Sequence, residues 1–152
     1  MIYLVADNAA VNTRLADLLV IPMIGCASHR FNLACKKYLE SSEVVLQKIQ
    51  FLMTTLRQVK QAGKLRTKTD LNPIIRNVTR WSSTFEMVKR FLRLLEFIDT
   101  TDEALAENLP TPLEMIALKD LMKDLEQFNL QLYFFKKRKE TYKKFVLFLM
   151  KC

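Results

Sequence analysis

Turn-making residues are scarce in this chain. Its 152 residues include two glycines and four prolines. That scarcity disfavours a sandwich or barrel and favours long helices. Two glycines also cannot build a glycine-rich phosphate loop, and neither a GxSxG segment nor a repeat of ~20–50 residues is present. A single histidine excludes most metal and catalytic constellations built on that residue. The three cysteines, Cys26, Cys35 and Cys152, have no framework spacing, which fits a reducing compartment better than a disulfide scaffold. No run reaches the ~18 apolar residues that a membrane span requires. Met1 to Ala6 is too short for the apolar region of a signal peptide, and Asp7 follows at once. No membrane partner is expected.

Hydrophobic residues make up 50% of the chain, enough for a core, and seven methionines and ten phenylalanines suit helices packed with irregular gaps. The net charge is +8. Most of it lies in residues 133–152, where Lys136, Lys137, Arg138, Lys139, Lys143, Lys144 and Lys151 face Glu140 alone. Residues 1–132 are close to balanced, so only the tail has a field that attracts polyanions.

Patterning divides the chain into three stretches. In residues 1–40, Met1 to Ala6 reads as a buried strand and Asn8 as the cap of a helix over Ala9 to Leu19. Val20 to Ile24 reads as a second buried strand, and a helix starts near Ser28, giving a βαβα unit with parallel strands. Residues 41–132 show no strand. Val45, Ile49, Leu52, Leu56 and Val59 form one apolar stripe, on a helix that Gly63 ends. Trp81, Phe85, Val88, Leu92 and Leu95 form a second stripe, and Leu118, Leu121, Leu125, Phe128 and Leu132 a third. Thr111-Pro112-Leu113-Glu114 opens the third helix as a capping box. Three such stripes predict an α-helical bundle. Residues 133–152 are a basic and apolar tail with no clean stripe: a helix end, a basic arm or sequence read out of frame.

Each candidate site has a structural and a chemical reading. Asp7 ends the first strand, where carboxylates of α/β sheets meet divalent metal, and it also suits a strand end that caps a helix. Cys26 and His29 have half a zinc spacing, but the other ligands of a closed site are missing. They read instead as a small buried thiol and an imidazole bonded across the first helical turn. A cysteine–histidine nucleophile lacks its orienting third group. Arg80 and Trp81 could clamp nucleic acid, guanidinium on phosphate and indole on an unstacked base, yet Trp81 is also the first knob of its stripe. The cluster Lys136 to Lys139 resembles a nuclear-import or nucleic-acid patch, or is a solvated face.

Three segments in one order, Tyr3 to Asn8, Gly25 to Ala34 and Asn77 to Phe85, resemble the hAT superfamily of DNA transposases over roughly Tyr3 to Gln131. The resemblance implies a ribonuclease H-like catalytic domain interrupted by an all-helical insertion, which suits the change of style near Ser41. It implies an Asp–Asp–Glu triad holding Mg²⁺ or Mn²⁺, with Asp7 as its second acid. It makes Cys26 and His29 the Cys-x-x-His element beside that site, and Trp81, next to Arg80, the support for a flipped base. The first acid is expected before Met1 and the third after the insertion; Glu126 and Glu140 do not match it. One ligand of three does not hold two metals, so no cofactor is expected for this chain. The expected molecule is a truncated or decayed transposase fragment: a partial ribonuclease H-like α/β core followed by a mainly α insertion bundle. Its ancestral reaction is metal-dependent DNA cleavage and strand transfer, inactive in this chain alone. DNA is the ancestral partner, the nucleus the expected compartment, and self-association or a full-length transposase the expected protein contact. The alternatives are a helical protein-interaction module and a nonspecific nucleic-acid binder acting through the tail.

Overall fold

A computed structural model describes the backbone of residues 2–149; the side chains of 135, 136 and 138–149 lie outside the description. The chain is mainly helical, 69%, with one small parallel sheet near the N-terminus. Backbone contacts divide it after Tyr38 into two units.

The first unit contains β1 (Leu4–Ala6), α1 (Ala10–Leu19), β2 (Met23–Gly25) and α2, which runs Ala27–Leu39. The strands pair in parallel, Leu4 with Met23, Val5 with Ile24 and Ala6 with Gly25. Both strands are shorter than the apolar runs that suggest them. Pro22 has no N–H to give a ladder, and its carbonyl accepts Leu4 N at 3.0 Å where pairing begins. The helix α1 ends in a Schellman turn: Ile21 N donates to Ala16 O and Val20 N to Asp17 O. Val20 therefore sits at φ 52°, a left-handed position that glycine would hold without strain. Asn8 does not cap α1. The N-cap position falls on Ala9, one residue later, and Asp7 Oδ1 accepts Ala9 N at 3.3 Å and Asn12 Nδ2 at 2.5 Å.

The second unit contains α3 (Glu43–Leu56), α4 (Val59–Arg66), α5 (Trp81–Leu94), the single turn α6 (Glu103–Ala106) and α7 (Pro112–Leu149), with 3₁₀ turns at Glu40–Ser42 and Leu95–Phe97. Leu46, Ile49, Leu52 and Met53 of α3, Met87, Val88, Phe91 and Leu94 of α5, and Leu118 and Leu125 of α7 are all buried, and α5 packs against both α3 and α7. At α7, Thr111 N donates to Glu114 Oε2 (2.8 Å) and Glu114 N to Thr111 Oγ1 (3.3 Å), the expected capping box. The first stripe does not stay on one helix. Its chain turns after Leu56, and Val59 is 92% exposed. Turning lets α4 bury Leu65 and sends the buried Gln61 amide to Asp102 at 3.0 Å. Gly63 consequently lies inside α4 rather than at a helix end, and a Cβ there would meet nothing within 4 Å.

The return segment 67–80 is pinned to α3. Arg76 makes a two-toothed ion pair with Glu43, and its backbone N–H donates to Gln50 Oε1 at 3.0 Å. The backbone of 133–149 continues α7, so the tail begins as helix; its basic cluster Lys136 and Arg138 to Lys144 lies outside the described side chains. Among the described residues no helix is long and apolar enough to cross a membrane.

Candidate functional site

Parallel pairing brings two of the three sequence patterns to one place. The register ends with Ala6 beside Gly25, and Cys26 N donates to Ala6 O at 2.8 Å. Asp7 and Cys26 therefore leave the carboxyl ends of neighbouring strands side by side. Open α/β sheets place their ligands at this edge, because successive strands deliver side chains to it. Asp7 and Asn8 are exposed, and Cys26 and His29 are half-buried. The Asn8 amide oxygen and Arg30 Cδ both approach the Cβ position of Gly25, at 3.6 and 3.7 Å. A carboxylate, a thiol, an imidazole and a guanidinium thus belong to one strand-end segment pair. The His29 imidazole makes no hydrogen bond among the described residues, so the expected bond across the first turn of α2 is absent. Cys35, one turn pair further along α2, is buried, and burial pushes its thiol up to about 11. It is therefore protonated and unreactive at neutral pH.

The fit of this edge to a pair of divalent cations is poor. Two-metal chemistry needs several carboxylates a few ångströms apart. Among the described residues no three His, Cys, Asp or Glu side chains gather in that way. Asp7 Oδ1 is already engaged by Asn12 and Ala9. No step through a metal is derived for this chain.

The third pattern belongs to the second unit, and most of it builds a turn. Asn77 Oδ1 accepts Thr79 N (3.0 Å) and Thr79 Oγ1 (2.7 Å). Asn77 N donates to Ser83 Oγ at 2.8 Å, and that hydroxyl lies 2.7 Å from both the Asn77 and the Arg80 carbonyls. These bonds fix the entry of α5. They leave Arg80 exposed in extended conformation and turn Trp81 inward, 3% exposed, edge-on to Phe128 at 6.2 Å. In this conformation the guanidinium is open to an anion and the indole belongs to the core.

One feature of the second unit is invisible to a charge sum over residues 1–132. Residues 57–93 carry ten Lys and Arg against Asp70 and Glu86, and residues 94–132 carry nine Asp and Glu against Lys119 and Lys123. The near balance conceals two oppositely charged halves, which a running sum along the sequence reveals. No family model, curated protein or solved structure matches the chain.

Proposed function

We propose that this chain is a hAT-type transposase derivative that holds DNA without cutting it. The observation that carries the reading is that parallel pairing ends with Asp7 and Cys26 at the carboxyl ends of neighbouring strands, with His29 on the first turn of the helix that follows. Two sequence patterns that resemble one family converge there as a ribonuclease H-like core would require. The helical unit stands where that family has its insertion, and Arg80 opens α5 with its side chain exposed for a phosphate. The described carboxylates do not make a two-metal site, so cleavage and strand transfer are not assigned to this chain. The nucleus is the compartment this reading implies.

The test uses the purified chain, a labelled DNA duplex, and Mg²⁺ or Mn²⁺. The duplex should stay intact. It should bind at low salt, with affinity falling as salt rises and severalfold lower in Arg80→Ala. Metal-dependent nicking that disappears in Asp7→Ala would overturn the inert assignment. Absence of DNA affinity at low salt would overturn the DNA-holding one.

A further inference from the structure

The two charged halves of the helical unit are largely unpaired within the chain. Arg76 pairs with Glu43, Lys64 with Asp102, Lys48 with Glu114 and Lys123 with Asp120. Among the described residues Arg57, Lys60, Arg66, Arg80, Lys89 and Arg93 are without a carboxylate in ion-pair reach, Lys68 and Arg90 reach backbone carbonyls, and Glu96, Glu103, Glu107 and Glu126 are without a cation. Both sets are ordered by helices. Lys89 and Arg93 stand one turn apart on the exposed side of α5, which also carries Glu86; Lys89 Nζ lies 5.5 Å from the Phe85 ring centroid, and Arg93 faces away from the buried Val88 and Phe91. Glu103 and Glu107 stand one turn apart on α6 and its C-cap. They flank a groove of about 460 Å³ that also exposes half of Phe51. Residues four apart on a helix are neighbours on one face, so the two pairs have the same spacing. The ring of Phe51 adds a surface on which a guanidinium stem can stack.

We propose that this chain self-associates by seating the Lys89–Arg93 face of one copy against the Glu103–Glu107 groove of a second. Charge complementarity selects the occupant. A nucleic acid would engage the basic half and leave the acidic groove empty. A basic peptide would do the reverse. A second copy of this chain offers complements to both halves at once, and their opposite charges are nearly equal. Exposed ion pairs contribute little each and are screened by salt, so the association is weak and falls as salt rises.

Sedimentation of the full chain over a range of concentrations, at low salt and at about 0.5 M salt, tests this. The wild type should associate at low salt and become monomeric at high salt. Lys89→Glu with Arg93→Glu should weaken association at least tenfold, as should Glu103→Lys with Glu107→Lys. Circular dichroism should show unchanged helicity, since all four side chains are exposed. Mixing the two reversed variants should restore a complex, because each then offers the face the other lacks. A wild type that is monomeric at low salt overturns the proposal, including one whose Lys89 and Arg93 bind a DNA duplex instead. So does association that ignores both reversals, or a mixture that stays dissociated.

Discussion

Asp102 shows how single residues hold the helical unit. Its Oδ2 accepts Gln61 Nε2 at 3.0 Å and Lys64 Nζ at 2.7 Å, and its Oδ1 accepts Ala104 N at 3.2 Å to cap α6. One carboxylate thus ties α4 to the start of α6. The Gln61 amide first, then the Lys64 ammonium, hold its carboxyl down to about 2 from an ordinary 3.8. The folded value lies below the unfolded one, so the stability it contributes is fully present above 3.8 and is lost as pH falls toward 2. In Asp102→Asn that part of the acid limb should flatten in pH-dependent denaturant unfolding. An acid limb of unchanged slope would mean that the carboxylate does not couple folding to protons. None of this was legible in the sequence, where Gln61 and Asp102 are polar residues of two separate segments. Trp81 was legible on both of its readings. In this conformation its indole is buried and lies near perpendicular to the Phe128 ring, on a helix far along the chain.

Elements were legible where local chemistry sets them. The capping box at Thr111 and Glu114 forms because both partners lie within one turn; of the second stripe Trp81, Phe85 and Val88 are buried, while Leu92 and Leu95 are half-buried and Phe91 and Leu94 take the core places. The break between α3 and α4 was hidden, since Thr54 to Gln58 contains neither proline nor glycine and the turn is set by what α4 buries. Gly63 misled for the complementary reason: a glycine reads as a stop, but here it occupies a helix interior. Glycine at such a position costs roughly 0.5–1 kcal/mol relative to alanine, mainly through the freedom of the unfolded chain. A methyl group there meets no atom within 4 Å. Gly63→Ala should therefore raise stability by about that amount, read as a higher denaturant midpoint with unchanged slope. A lower midpoint would show that α4 is not continuous through residue 63.

At the scale of the whole molecule, the order of an α/β start followed by helices was legible, because strand-like apolar runs end before residue 40 and helical stripes begin after it. What the pattern could not convey is how unevenly the two units are finished. A parallel sheet is normally covered on both faces, and two strands alone are marginal in water. Here Val5 and Ile24, paired across the sheet, are each about half exposed, and Val11, Leu18 and Val20 are more exposed still. Ala16 is the one buried residue of α1. In the second unit the stripes of α3, α5 and α7 cover one another, and their central side chains are fully buried. Opening free energy follows such differences, since amides exchange through local unfolding and local unfolding is opposed by buried apolar contact. Hydrogen exchange should accordingly be slow in α3, in α5 and in the part of α7 around Leu118 to Leu125. It should be fast from Ile2 to Ile24, where the uncovered strand edges also offer a route to aggregation. The two regions should lose protection at different denaturant concentrations. Uniform protection lost in a single step by a monomer would sink the prediction, because residues 2–24 would then have to draw on contacts that their exposed side chains do not make.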